Sequence, residues 1–435
     1  MSRRLEGPLA GRLRCLALLI PLLALACGDS VGSSDPSDAS WESLRSDLPR
    51  DTSPTPGGEA LRELARGGAE TALDLLGHLE KGENVLISPF SIRIAFAMLY
   101  GGARGETAEE IAEVLRYPEG EGVHDAWNAL DLALAARNLP AGDEGEDPVE
   151  LLVANAFWGR LGFPFRDEYL DLLAVHYGSG IERLDFAGAP EAARRVINEW
   201  VEGKTRDRIR DLLPAGSIDP LVVAVLTNAL YFKAPWARPF DENLTTQGAF
   251  ERPEGSAVTV PMMARTDTFP YAEGDGCQAL ELPFRGDELS MVFLLPSGGL
   301  DILEESLTGE GLFAILDRLE PAGVAAAIPR FTFESDFELR EMLQTMGMPR
   351  VFSGDADLSG MTEGGGLFVD EAYHKTFIAV DEKGAEAAAA TAIVIRESAV
   401  PADHTFRADR PFLFLIRDRG TGEILFLGRV TDPSA

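Results

Sequence analysis

From residue 60 to its C-terminus the chain spaces its apolar residues in two ways, one after the other, with no linker between them. Leu61, Leu64, Ala65, Ala69, Ala72, Leu73 and Leu76 recur at helical spacing up to Gly77. Ile92 to Leu99 reads as a strongly apolar helix stopped by Gly101-Gly102, and a second helix is expected where Thr107 can cap, with Ile111, Val114 and Leu115 on one face. Short apolar runs dominate later: Leu151 to Trp158, Val222 to Phe232, Ala279 to Leu282, Met291 to Leu295, Ala325 to Phe333, Phe377 to Val380, Phe412 to Ile416 and Ile424 to Val430. The last two are joined by Arg417-Asp-Arg-Gly-Thr-Gly422, a plausible hairpin loop. Helices first and mostly antiparallel strands later predict an α+β architecture, not alternating β/α units. With 435 residues, 45% apolar, the chain can bury a large core, and one unusually large domain over 60–435 is expected.

The N-terminus is not part of that domain. Arg3, Arg4, Arg12 and Arg14 precede an apolar run, Leu16 to Ala26, of signal-peptide length and too short to span a bilayer comfortably. It ends Leu25-Ala26-Cys27-Gly28, which resembles a bacterial lipoprotein cleavage box with Cys27 as the lipidated first residue. Residues 1–26 are read as a signal peptide, and the mature chain as exported, either lipid-anchored to the cell envelope or secreted. Residues 27–59, rich in Ser, Asp, Pro and Gly, read as a flexible tether. Cys15 leaves with the signal, so Cys277 stands alone and is expected in the core.

Functional classes narrow by exclusion. A net charge of −32 repels phosphate backbones, and no basic patch suggests nucleic acid or a heparin-like polyanion as partner. The sequence contains no His-Glu-x-x-His, no phosphate-binding glycine loop and no Gly-x-Ser-x-Gly elbow. His78, His124, His176, His374 and His404 have no metal-ligand spacing. No enzyme, metal site or cofactor is expected.

The oddest stretch is Glu382 to Pro401. By propensity its alanines should form a helix. At the strand period, the odd positions Ala385, Ala387, Ala389, Thr391, Ile393 and Ile395 are all small or apolar, while Glu386 and Arg396 fall on even positions. As a strand the segment would bury one clean face and keep both charges on the other.

This segment resembles the hinge and reactive loop of the serpins, and other blocks follow in that family's order. They are Asn84-Val-Leu-Ile-Ser-Pro-Phe-Ser91, Ala95 to Thr107, Asn198-Glu-Trp-Val-Glu-Gly-Lys-Thr205, Ile209-Arg-Asp-Leu-Leu-Pro214 and Thr227-Asn-Ala-Leu-Tyr-Phe-Lys-Ala-Pro-Trp236. Leu282-Pro-Phe284, Ile328-Pro-Arg-Phe331, Asp357-Leu-Ser-Gly-Met361, His374-Lys375, Pro411 to Ile416 and Phe426-Leu-Gly-Arg-Val430 complete the set. The resemblance implies a single domain of three mostly antiparallel sheets and eight or nine helices, with an exposed reactive loop at about 382–405. It also implies a monomer that inhibits by being cut. A serine protease attacks the loop, and the severed strip inserts as a new central strand before the acyl-enzyme can hydrolyse.

Residue by residue, the resemblance makes Glu382, Gly384, Ala385, Glu386, Ala387, Ala388, Ala389, Ala390 and Thr391 the hinge. Where many inhibitory members carry Thr or Ser at the first inward position, this chain has Ala385, which is smaller and uncharged. Ser88, Ser91, Asn228 and His374 match the shutter beneath the parting strands, and Trp236 matches the tryptophan where the loop meets the sheet. Counting from Gly384 puts the scissile bond at Ser398–Ala399; aligning on the Ser-Ala pair puts it at Glu397–Ser398, and Arg396 would suit a trypsin-like enzyme. The implied partner is a trypsin/chymotrypsin-like or subtilisin-like protease, elastase-like if the cut follows a small residue and glutamate-specific if it follows Glu397. A non-inhibitory binding or chaperone-like member is the alternative, which bulky or charged inward hinge residues would favour.

Overall fold

The computed structural model describes residues 41–118, 120, 122–142, 146–386 and 402–435, all within one compact unit. Its helices are Gly58–Gly77 (α1), Pro89–Tyr100 (α2), Gly105–Val114 (α3), Val123–Ala135 (α4), Asp167–Leu172 (α5), Pro190–Lys204 (α6), Leu300–Ser306 (α7), Gly309–Asp317 (α8) and Leu339–Met346 (α9). The early strands are Trp41–Leu44 (β1), Val85–Ile87 (β2), Glu150–Arg160 (β3), Ile181–Leu184 (β4), Ala224–Pro235 (β5), Thr246–Glu251 (β6), Ala257–Gly274 (β7) and Cys277–Pro283 (β8). The later ones are Leu289–Pro296 (β9), Glu320–Pro329 (β10), Phe331–Glu338 (β11), Glu371–Val380 (β12), Gly384–Ala385 (β13), His404–Arg407 (β14), Phe412–Asp418 (β15) and Ile424–Val430 (β16). This is the expected α+β composition.

Two hydrogen-bonded sheets organise the described residues. The first runs β1-β4-β3-β5-β13-β12-β11; the second runs β14-β10-β7-β8-β9-β15-β16-β2, with β6 on β7. Three sheets were expected. The second and third are joined because β7, 18 residues long, carries one end in each. Helix α2, apolar except for Ser91 and Arg93, sits buried from Pro89 to Leu99, with Pro89 in its first turn and Ser88 Oγ accepting from Ser91 N at 3.2 Å as its cap. Its burial puts the start of the helix directly beneath β5 and β12.

Three local expectations change. Helix α3 begins at Gly105 rather than after Thr107, whose hydroxyl instead accepts from the N–H of Asp357, a partner 250 residues away. The apolar run 325–333 is two strands, β10 and β11, belonging to different sheets, because the chain turns between them at Arg330. Finally, the stretch read as a tether is strapped to the body over its described part. Strand β1 pairs antiparallel with β4 from Trp41↔Leu184 to Leu44↔Ile181. Arg50 binds Asn128 and Asp131 of α4 at 2.8 and 2.6 Å. A polar segment can be ordered when the body offers an unpaired strand edge and side-chain partners, neither of which shows in local composition.

Candidate functional site

Strands β5 and β12 lie side by side at the centre of the first sheet and are paired in two different ways. At one end they pair directly and in parallel, Glu371–Lys375 against Val225–Ala229. At the other end the two-residue strand β13 separates them: Ala385 pairs with Val380 on one side and Ala234 on the other, and Gly384 with Pro235. The two strands keep one common register: Val380 and Ala234 flank Ala385, and nine residues further along each strand Glu371 and Val225 pair directly with each other. The sheet is a seam opened at one end by Gly384 and Ala385, residues of the expected hinge.

Several groups hold that opening. A Cβ on Gly384 would stand 2.1 Å from the Ala234 carbonyl and 2.6 Å from Pro235 Cα, so the position needs glycine for close approach, not for an unusual φ. Trp236, 3% exposed, donates its ring N–H to Asp381 O at 2.9 Å and its backbone N–H to Lys383 O at 2.8 Å, while stacking on Phe284. Glu382 is buried and receives Arg330 Nε at 2.8 Å and the Thr245 hydroxyl at 2.5 Å. Burial pushes its carboxyl up, but these donors outweigh burial and hold it below the usual carboxylate range. Glu386, the last described residue of the hinge, has φ +53° and an ion pair with Arg208.

Where the direct pairing begins, the expected shutter residues meet. His374 Nε2 accepts from Ser88 N at 3.0 Å, so Nδ1 carries the proton and donates to Asn228 Oδ1 at 2.7 Å. Ser91 Oγ donates to the same Asn228 oxygen at 2.6 Å, and the Asn228 amide reaches Ser91 O and Asn155 Oδ1. Full burial lowers the His374 pKa to about 3, so the ring is neutral. The His374–Asn228 bond ties β12 to β5 at the point where the seam is closed.

Structure thus assembles Ser88, Ser91, Asn228 and His374 in one cluster, and Trp236, Glu382, Gly384, Ala385 and Glu386 in another. Ala387, Ala388, Ala389, Ala390, Thr391, Arg396, Glu397, Ser398, Ala399 and Cys27 lie outside the described residues. The sequence reading missed Arg330, Thr245, Arg208 and Asn155. Arg330 stood inside a recognised block, but only the fold shows which acid it meets. It also missed that the rings of His124 and His176 lie 5.8 Å apart beside Tyr177, since they sit 52 residues apart in sequence. No group of three or more metal-binding side chains occurs among the described residues. Cys277 is buried with its thiol pushed up to about 11 by burial, and Trp158, fully buried, meets Trp200 edge to face.

The family model for Serpin (serine protease inhibitor) matches residues 67–433. An uncharacterised serpin-like protein of Thermococcus kodakarensis is 42% identical over 354 residues, covering 80% of this chain and 81% of the relative. The leukocyte elastase inhibitor of Homo sapiens is 37% identical over 387 residues, covering 86% of this chain and 100% of that protein. Among solved structures, native tengpin, a thermophilic serpin, superposes with a TM-score of 0.79 at 27% identity, covering 91% of this chain and 100% of that one. Uncleaved ovalbumin superposes with a TM-score of 0.75 at 28% identity, covering 85% and 100%.

Proposed function

The chain belongs to the serpin (serine protease inhibitor) family and is not an enzyme, and we propose that it traps a serine protease by inserting its cut loop into the β5/β12 seam. The protease serine attacks the carbonyl of the scissile residue, Ser398 or Glu397. An ester forms to the protease, the peptide C–N bond breaks, and the new amine leaves with a proton from the protease's histidine. Zipping of the freed strip then carries the tethered protease along the sheet before water can cleave the ester.

The observation that carries this reading is the double pairing of Ala385 in one register with both neighbours. Continued, that register seats Ala387 opposite Ile378 and Phe232, Ala389 opposite Thr376 and Leu230, and Ile393 opposite Ala372 and Leu226. Ile378, Thr376 and Ala372 are all buried, as the apolar odd positions of the strip require. Thr391 falls opposite His374 and Asn228, whose direct bond must open. A hydroxyl both donates and accepts, so threonine can satisfy the two groups it separates. A seat that re-pairs the two buried polar groups it separates makes insertion cheaper. The basic leader and the Cys27 box support export and lipid anchoring as part of the same proposal.

The test uses the chain without residues 1–26, incubated with a panel of serine proteases and separated on a denaturing gel. A covalent band with an active protease, and a released peptide beginning at Ala399 or Ser398, is the expected result. Clean cleavage with no adduct from any active protease would overturn the trap and favour a non-inhibitory binding role.

A further inference from the structure

Alternation alone would leave the even-numbered residues of the inserting strip facing solvent, where any side chain is tolerated. Yet Ala388, Ala390 and Ala392 are as small as the odd-numbered residues. The face of the sheet they would occupy is partly covered, its β12 residues being half-buried. Tyr373 of β12 packs in one apolar cluster with Trp200 of α6. Lys375 Nζ donates to Arg210 O at 3.0 Å, and the Arg208 guanidinium lies 5.7 Å over the Phe377 ring. The two ladders set Phe377 and Tyr231 level with each other and place Ala388 between them, so Arg208 roofs that seat.

The same arginine grips the last seated residue. Its ion pair is with Glu386, whose side chain is only 7% exposed and whose N–H donates to Ala379 O at 2.7 Å. Glu386 is therefore already in register on β12, while its φ of +53°, costly for a non-glycine residue, turns the chain off the sheet. Insertion requires this residue to become extended. In the inserted strand Glu386 would stay opposite Ala379 and Lys233 on the covered face, within reach of Arg208; only withdrawal of the hinge breaks the pair.

We propose that Arg208 is a positioning residue for loop insertion: it holds Glu386 seated at the mouth of the seam and roofs the seat that Ala388 takes next. This rests on the trap reading above and adds a determinant to it. The partition of an attacked molecule between trapped complex and cleaved product then depends on Arg208.

The experiment compares wild type, Arg208→Ala and Arg208→Lys in two measurements. With an inhibited protease, Arg208→Ala should raise the ratio of cleaved to trapped molecules roughly two- to five-fold, the range a partly exposed ion pair supports, and Arg208→Lys should recover most of it. In the uncut chain, hydrogen exchange of the 381–386 segment should quicken in Arg208→Ala while the melting temperature barely moves. Unchanged exchange and partition in Arg208→Ala overturn the proposal, as does a lowered melting temperature without faster hinge exchange. If wild type forms no adduct with any protease, the trap fails, and hinge exchange still decides the role of Arg208.

Discussion

His374 shows how one residue carries a requirement that neither of its chain neighbours reveals. The ring is neutral because it is fully buried, and its tautomer follows from accepting from Ser88 N–H. Its folded pKa, about 3, lies below the usual value near 6.5, so the unfolded chain binds more protons between them. The stability tied to the neutral ring is fully present above about pH 6.5 and is lost as pH falls towards 3, at up to ~1.4 kcal/mol per unit. His374→Gln should be less stable than wild type at pH 7, and the difference should shrink steadily down to pH 4; melting temperatures across that range check it. A difference that does not change with pH would mean the ring is not buried neutral. Glu386 teaches the complementary lesson. Alternation put it only on the face opposite the clean one, and the structure buries it beneath Arg208, because sequence period cannot say what lies over a face.

Among elements, the pair β5 and β12 does the most. Strand β5 is buried on both faces, with the core beneath and α6 above, so it reads as a continuous apolar run; β12 alternates. Beside Ala385 the seam holds a small apolar cavity lined by Leu86, Phe232, Ile378 and Phe426, and the proposed register would bring Ala387 to it. Placing a guanidinium there buries a charge without a partner, at a cost of several kcal/mol. Ala387→Arg should therefore be cut at the wild-type rate yet yield at least ten-fold less covalent adduct on the same gel. Full retention of adduct would mean the strip does not enter the seam in this register.

At the scale of the molecule, the fold has a direction. The hinge lies at one end of the first sheet, while the inserted Ile395 would fall level with Ala224, which pairs with Gly159; Gly159 pairs with Arg183, and Arg183 with Glu42. Four strand spacings, about 19 Å, separate Ile395 from β1 at that far end. A trapped protease should consequently arrive beside the N-terminal strap. A dye on Glu42→Cys, in a Cys27→Ser chain, should transfer energy to a labelled protease more strongly after trapping than with a catalytically dead protease bound to the loop. Equal transfer would place the trapped enzyme elsewhere. Because the inserted strip would pair on both sides while only the direct Glu371–Lys375 to Val225–Ala229 ladder is lost, at roughly 0.5–1.5 kcal/mol net per bond gained, nicking the loop should raise the melting temperature by roughly ten degrees or more. An unchanged melting temperature would show that the cut strip stays outside the sheet. What residues alone determined was the class of fold, the order of its blocks and the small side chains of the strip, since periodicity and local motifs record how a segment meets a surface; the shutter residues came from the family resemblance. Which acid Arg330 and Arg208 each hold, why Gly384 must be glycine, and that residues 41–59 clasp the body were decided by tertiary structure. Those facts are contacts between segments tens to hundreds of residues apart, and no local pattern encodes a distance.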